Sequence, residues 1–299
     1  MLESINITPL NDLKIAIEWL TEVTHEPQEE VIRKLRQESK NLGTTVRKDI
    51  ERLGLPRYRW TPELLSYYES SKSFLFESFA WNTTRDKNAL RQRMGRFVLG
   101  SLPTGARVLC YGDGLGFDSA FLSLLGFDVT YYEVGGPCIE FAKRVFRENQ
   151  TQVDLCSDLG ALVAESFDAI VCLDVLEHVP NPPDLVSKLT TLLRKDGTFI
   201  AHAPFWYIHP YVSTHLVSNA RFSGSLKEIF HANGLREIDA DFFWCPIYLR
   251  KTILPISLSP ASLVRVRISQ FLLSWSRIWT WPTVTAIRAL AKAKPRIDL

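Results

Sequence analysis

The sequence is poor in cysteine, with five among its 299 residues and no Cys-x-x-Cys pair. The five are Cys110, Cys138, Cys156, Cys172 and Cys245. Because none is grouped with histidines at metal-ligand spacing, we predict no metal site. Cys110, Cys156 and Cys172 fall in apolar runs, which favours buried thiols in a reducing compartment over disulfides.

Long hydrophobic runs are missing as well. No uncharged apolar stretch reaches the roughly 18 residues that a membrane-spanning helix needs. The start of the sequence, MLESINITPLNDLK, has no basic segment followed by an apolar one, so no secretory signal is predicted. We therefore expect a cytoplasmic protein.

The chain also lacks an excess of charge of one sign. Its 35 Lys and Arg residues face 33 Asp and Glu, and the net charge of +2 gives no reason to expect a nucleic-acid partner. The distribution is nevertheless uneven. From Arg250 onward nine basic residues face one acid, Asp298, so this segment carries +8 and the remaining chain −6. That asymmetry predicts a surface contact through the end of the chain.

Hydrophobic periodicity divides the sequence into a helical N-terminal region (1–100), a central region (101–252) and a basic amphipathic tail (253–299). In the central region, seven strand-like runs alternate with helix-like ones. The strands are predicted at 107–111, 128–133, 152–156, 168–173, 197–203, 236–243 and 246–251. The helices between them are predicted at 117–125, 137–148, 182–194 and 223–233. This alternation predicts an α/β fold, with a Rossmann-like, seven-stranded, mostly parallel sheet covered by helices on both faces and a final antiparallel hairpin.

The tail contains an amphipathic segment, LVRVRISQFLLSWSRIW. One helical face would carry its large apolar residues, namely Val264, Ile268, Phe271, Leu272, Trp275, Ile278 and Trp279. Pro282 is predicted to interrupt this helix. Three roles stay open for residues 255–299: packing on the chain's own domain, homo-oligomer contact, or peripheral binding to an anionic membrane.

The stretch RVLCYGDGLGFDSAFLSLLG, residues 107–126, joins a predicted strand to a predicted helix through Gly112, Gly114 and Gly116. Alternating glycines let the backbone turn sharply with positive φ, and they let a ligand approach the main chain and the helix N-terminus. Such a turn lies at the carboxyl edge of an α/β sheet, where ligands bind. A purely structural turn is the alternative.

A carboxylate, Glu133, ends the next predicted strand, 17 residues past Gly116. Such a group can accept hydrogen bonds from two vicinal ribose hydroxyls, although a solvated acid at a strand end is the alternative. Glycines and carboxylate together indicate an adenosine-type ligand, either a dinucleotide or S-adenosylmethionine. Phe117 occupies the position where the dinucleotide pattern requires Gly or Ala, which departs from the dinucleotide form.

The stretch SFDAIVCLDVLEHVPNPPDLVSKLTTLLRKDGTFIAHAPF, residues 166–205, resembles class I S-adenosylmethionine-dependent methyltransferases, in particular the small-molecule branch that includes the ubiquinone-biosynthesis methyltransferases. The matching residues are Phe167, Asp168, Glu177, His178, Val179, Pro180, Gly197 and Pro204. The resemblance covers about half of the chain, 105–252. Two positions depart from the pattern. Cys110 occupies the position, two residues before the first glycine, where the family usually has an acid, and Thr198 occupies the position where the family usually has the second glycine of the basic turn.

The resemblance implies S-adenosylmethionine as cofactor and in-line methyl transfer to a small organic acceptor, with oxygen as the expected acceptor atom and nitrogen or carbon as alternatives. A protein that binds the cofactor without transferring its methyl group is a further alternative. It implies cofactor contacts from Gly112, Gly114, Gly116, Glu133, Val134, Asp158, Leu159, Leu173 and Asp174. Within this set, Glu133 would hold the ribose hydroxyls, Val134 would pack on adenine, and Asp158 would accept from the adenine amino group. Asp154 is the alternative to Asp158. Leu173 and Asp174 would lie beside the reactive methyl group.

A hydroxyl acceptor requires a general base, for which histidine is the natural candidate at neutral pH. The candidates are His178, His202 and His215, with His209 as a fourth. Two features of the N-terminal region have alternative interpretations. The aromatic stretch Phe74, Phe76, Phe79 and Trp81 is either core or a substrate lid, and Arg85, Arg91 and Arg93 either contact the methionine carboxylate or form a solvated helix face.

Overall fold

A computed structural model of the chain describes residues 5–209, 212–241 and 247–293. Seven strands in these ranges form one sheet in the order β3-β2-β1-β4-β5-β7-β6. Their bounds are Arg107–Tyr111, Asp128–Tyr132, Val153–Cys156, Phe167–Leu173, Leu193–His202, Leu235–Ala240 and Ile247–Lys251 for β1 to β7. β6 and β7 pair in antiparallel fashion, as predicted. The prediction of a mostly parallel, Rossmann-like sheet is confirmed.

Ten α-helices accompany these strands in the described ranges. Their bounds are Leu13–Thr24, Gln28–Lys40, Thr44–Leu53, Pro62–Ser70, Ser73–Asn82, Arg85–Ser101, Phe117–Leu124, Pro137–Glu148, Pro182–Leu192 and Pro260–Ala293 for α1 to α10. Local sequence explains several helix starts. The side chains of Asp12, Thr61 and Thr84 accept hydrogen bonds from the first-turn amides of α1, α4 and α6, and prolines open α8 and α9.

The chain divides into two compact units that do not follow the predicted boundaries at 100 and 252. The first unit contains Met1–Leu55 and Thr61–Leu159, and the second contains Pro56–Trp60 and Gly160–Leu299. The helical N-terminal region therefore belongs to the same unit as β1, β2 and β3. The three-region division stays a prediction about function.

In the first unit, β1 pairs with β2 and β2 with β3, all in parallel. The aromatic core of this unit joins the N-terminal helices to the helices that follow the strands. Phe79 of α5, Phe117 of α7 and Phe141 of α8 lie with ring centroids 6.1 to 6.4 Å apart. Phe76 and Phe79 are buried, so the structure favours core over lid for the centre of this aromatic stretch.

In the second unit, β4 and β5 pair in parallel, and β5-β7-β6 form an antiparallel arrangement. All seven residues of β4 are buried, as expected for a strand covered on both faces. The predicted helix at 223–233 is wrong. That stretch forms turns with one short 3₁₀ segment, His231–Asn233, because Gly224 has a φ of +69° and a Cβ there would lie 2.4 Å from the Leu273 carbonyl oxygen.

Within the tail, Pro260–Ala293 form one continuous helix, α10, so the predicted interruption at Pro282 is wrong. None of the described helices combines the length and hydropathy that a membrane span requires. The predicted strand ends in 242–246, Cys245, and the side chains of Arg277 and Trp279 lie outside the described part of the chain.

Candidate functional site

The glycine turn between β1 and α7 is tied to the end of β2 through main-chain groups. Gly114 donates its N–H to Glu133 Oε2 at 2.8 Å, and its carbonyl accepts from the Tyr131 hydroxyl at 2.6 Å. The other carboxylate oxygen, Oε1, accepts from the Val134 N–H at 2.9 Å. Burial raises the pKa of Glu133, and these two N–H donors oppose that rise. The structure thus brings Gly114, Glu133 and Val134 together.

The glycines of the turn differ in what surrounds them. A Cβ on Gly116 would lie 2.7 Å from the Phe146 ring and 2.9 Å from Ala142 Cβ, so Gly116 allows α7 to pack on α8. A Cβ on Gly114 would meet only Ser78 Oγ, at 3.9 Å. Packing therefore explains why residue 116 is glycine, whereas open space beside Gly114 fits close approach by a ligand. Gly112 donates its N–H to the Tyr132 carbonyl at 2.8 Å.

A carboxylate missed by the sequence interpretation, Asp113, lies within the same turn. Its oxygens accept from the backbone N–H groups of Asp118 at 3.2 Å and Ser119 at 2.7 Å, at the start of α7. Burial, reinforced by Asp118, raises the pKa of Asp113 to about 7. Cys110 is a buried thiol whose pKa burial raises. An acid thus stands in this loop, three residues after the position that carries it in the resembled family.

Behind the turn, Asp118 forms a buried ion-pair network with α6. Its carboxylate contacts Lys87 Nζ at 3.0 Å and Arg91 Nε at 2.7 Å, and Arg91 also hydrogen-bonds Asn82. Burial raises the pKa of Asp118, but the two cations outweigh it and hold that pKa below its usual range. Arg91 is 2% exposed, so it is neither part of a solvated face nor free for a cofactor carboxylate.

The remaining cofactor candidates of the first unit lie at the carboxyl ends of β2 and β3. Val134 is an exposed apolar side chain beside Glu133, which suits stacking against a base. Asp158 is exposed in the turn after β3, and Leu159 is half-buried. Asp154 instead lies within β3, paired with Thr130. The strand-end position favours Asp158 over Asp154.

In the second unit, the ends of β4 and β5 hold a carboxylate and an imidazole together. Leu173 pairs with His202 across the two strands, and Asp174 donates its N–H to the His202 carbonyl at 2.8 Å. The Asp174 carboxylate contacts His202 Nδ1. Since Nδ1 faces a carboxylate, it carries the proton and leaves Nε2 as the acceptor. Asp174 has a φ of +58°, an uncommon conformation that clusters at functional sites.

The other two predicted histidines form a group with Glu177, in which Glu177 and His215 are buried and His178 is half-buried. His178 Nδ1 donates to the Thr214 carbonyl at 3.2 Å, and His215 Nδ1 donates to the Tyr207 carbonyl at 2.6 Å. Their rings meet edge to face with centroids 4.6 Å apart. Burial lowers the pKa of His178 to about 4, and burial together with His178 lowers the pKa of His215. Both are therefore weaker bases than an ordinary histidine.

Glu177, His178 and His215 each place a ligand atom within 4.8 Å of the others. Linear spacing does not predict this group, because His215 arrives from a later loop. Asn219, also missed, fixes the turn that carries Glu177, since its amide donates to the carbonyls of Leu176, Glu177 and Val179 at 2.8 to 3.3 Å. His209 is half-buried and stacks on Tyr207.

Residues 83–238, more than half of the chain, match a family model described as a methyltransferase domain. The chain belongs to this methyltransferase family. The prediction of a class I S-adenosylmethionine-dependent methyltransferase is thereby confirmed, and S-adenosylmethionine is the cofactor of that class. The Glu133 carboxylate, the open side of Gly114 and the exposed Val134 fit such a nucleoside.

Among curated relatives of this methyltransferase, a protein named Ubiquinone biosynthesis O-methyltransferase from Xanthomonas axonopodis pv. citri (strain 306) is 37% identical over 99 residues, 32% of this chain and 41% of that protein. The chain therefore spans about two fifths of the relative's length. Among solved structures, the 1,6-didemethyltoxoflavin-N1-methyltransferase of Burkholderia thailandensis is similar, with 18% identity and a TM-score of 0.46 over 64% of this chain and 86% of that one.

Proposed function

We propose that this protein transfers a methyl group from S-adenosylmethionine to a hydroxyl oxygen of a small organic acceptor. The observation that carries the choice of oxygen is the Asp174–His202 pair, because a hydroxyl acceptor must lose its proton as the methyl group arrives. The name that the Xanthomonas relatives bear, an O-methyltransferase, supports the same choice.

The proposed roles divide into cofactor binding and proton transfer. When bound, S-adenosylmethionine supplies an electrophilic methyl group on a sulfonium centre. In the first unit, the Glu133 oxygens would accept from ribose hydroxyls, and Gly114 would admit the ligand to the main chain. In the second unit, His202 Nε2 would take the acceptor's proton while Asp174 holds the ring and stabilises the imidazolium that forms. Positioning and exclusion of water supply much of the remaining rate.

The choice among histidines follows from their surroundings. His178 and His215 donate their Nδ1 protons to neutral carbonyls, and burial lowers their pKa values, so each would gain a proton reluctantly. His202 Nδ1 contacts the Asp174 carboxylate, whereas His215 faces Glu177 through Nε2 at 4.0 Å. We infer that His202 is the base and that the other two position the loop that follows β5.

The experiment measures S-adenosylhomocysteine release from S-adenosylmethionine with matched sets of small phenols, carboxylic acids and amines. We expect release with phenols, and a 10²- to 10⁴-fold lower kcat in His202→Gln with unchanged cofactor affinity. His231→Gln, a partly exposed histidine paired with Glu237, is the matched control and keeps its activity. Turnover of amines alone, or full activity in His202→Gln, contradicts the proposal.

Glu133→Ala tests the proposed cofactor binding separately from the proposed proton transfer. A hydrogen bond to a charged carboxylate contributes about 1.5–3 kcal/mol. Loss of one such bond should weaken S-adenosylmethionine binding, measured by calorimetry, about tenfold to a hundredfold. Asp154→Ala, a carboxylate within β3 rather than at its end, should leave affinity unchanged. Equal affinities for Glu133→Ala and the native chain would remove the ribose assignment.

A further inference from the structure

The helix α10 presents two different faces, and its inner face is already occupied by its own unit. Arg265 makes two hydrogen bonds to the Asp239 carboxylate, at 2.7 and 2.6 Å, and Gln270 donates to Glu237 at 3.0 Å. Val266, Ser269 and Thr280 are buried on this side. The helix is therefore fixed in place without help from its outer face.

The outer face of α10 is apolar and exposed. It consists of Val264, Ile268, Phe271, Leu272, Trp275 and Ile278, whose side chains are 40% to 58% exposed. Single exposed apolar residues are ordinary, but six of them on one side of a helix indicate an interaction surface. The sequence predicted one apolar face here, and the structure places that face away from the unit's own core.

The charge of α10 narrows the kind of partner. Between Pro260 and Ala293 the sequence has five basic residues and no acid, whereas the chain before Arg250 carries −6. Arg267, at the margin of the outer face, is exposed. A symmetric pairing of two α10 helices would set these like charges against each other, whereas an anionic surface would attract them.

We propose that the outer face of α10 docks in the plane of an anionic lipid bilayer, with Phe271 and Trp275 in the acyl boundary and the basic residues at the headgroups. Helices of this composition bury their apolar side about 5–10 Å into that boundary, and tryptophan is enriched there because its ring is apolar and its N–H is polar. This inference stands independently of the proposed methyl transfer.

The experiment uses the full chain and sedimentation with two kinds of vesicle, pure phosphatidylcholine and equal parts of phosphatidylcholine and phosphatidylglycerol. We expect sedimentation with the anionic vesicles only. High salt should weaken it, because the Debye length falls from about 10 Å at 0.1 M to about 3 Å at 1 M. Tryptophan fluorescence should shift to the blue on binding, and the shift should be smaller in Trp275→Phe than in the native chain.

The double variant Phe271→Ser, Trp275→Ser should lower the apparent vesicle affinity at least about tenfold. Its control is Leu13→Ser, Val163→Ser, which removes two apolar side chains elsewhere that are at least as exposed and should bind as the native chain does. Unfolding curves of both variants check that the fold is intact. Equal binding by both variants, equal binding to neutral vesicles, or no sedimentation overturns the proposal. A dimer that the first variant dissociates would assign the face to a second copy.

Discussion

The candidate functional groups of the two compact units differ in kind: main-chain groups dominate in the first unit and side chains in the second. In the first unit, the main chain of Gly114 makes the hydrogen bonds that define the glycine turn. Its N–H donates to the Glu133 carboxylate, and its carbonyl accepts from the Tyr131 hydroxyl. In the second unit, carboxylate and imidazole side chains are packed together at the end of β5 and in the segments that follow β4 and β5. Under the proposed function, cofactor binding would depend on backbone shape, whereas proton transfer would depend on burial and on neighbouring charges.

The largest effect should come from Asp118 in the first unit. Asp118→Asn leaves the buried Lys87 and Arg91 without their carboxylate, and breaking such a pair costs about 3–5 kcal/mol. The free energy of unfolding from urea titration measures this loss. Glu140→Gln, which removes an exposed ion pair with Lys143, should cost at most about 1 kcal/mol. Similar losses in the two variants would show that the buried network is not what supports the glycine turn.

A smaller effect should separate two glycines of the turn. Gly116→Ala forces a Cβ against Phe146 at positive φ, so we expect a loss of about 2–4 kcal/mol in unfolding free energy. Gly114→Ala adds only the backbone cost, about 1–2 kcal/mol, but its methyl group occupies the open side and should weaken S-adenosylmethionine binding. Calorimetry and urea titration together check this division. If Gly114→Ala binds normally, the open side is not the ligand side.

The smallest effect should be a pH dependence that belongs to the second unit. The pKa of His178 is about 4 in the folded chain and about 6.5 when unfolded, so folding requires the neutral ring. The resulting stability is fully present above about pH 6.5 and is lost as pH falls towards 4, by about 2 kcal/mol at about pH 5. Unfolding titrations of the native chain and His178→Asn at both ends of this range measure it. Parallel pH profiles for the two proteins would contradict the assignment.

Much of the sheet could be predicted from the sequence, because strands buried on both faces appear as short apolar runs between glycines and prolines. The predicted and observed limits of β1 coincide, and β4 differs by one residue. Predictions failed where distant packing decides the local structure. The 223–233 stretch has helical periodicity, but Gly224 lies against the Leu273 backbone. Pro282 is a helix breaker in isolation, yet α10 continues through it.

The candidate site was predictable only where the chemistry is local. Glu133 and the glycines stand in a recognisable order along the chain, so their neighbourhood in space follows from parallel strand geometry. Asp113 and Asp118 gave no such signal, because their roles depend on α6 and on the turn of α7. Likewise, the Glu177–His178–His215 group depends on contacts between distant loops, such as the hydrogen bonds from the Asn219 amide to the turn that carries Glu177.

The short segment Pro56–Trp60 belongs to the second unit although its flanking residues belong to the first. Tyr58 is buried there and exchanges backbone hydrogen bonds with Ser213 and Val217, at 2.8 and 3.0 Å. A gene fragment that starts at residue 160 would lack Pro56–Trp60 and would expose the Ile208 side chain that Tyr58 covers. Separate expression of the second unit therefore calls for a fusion that carries residues 56–60 in front of it, or for the peptide supplied in trans.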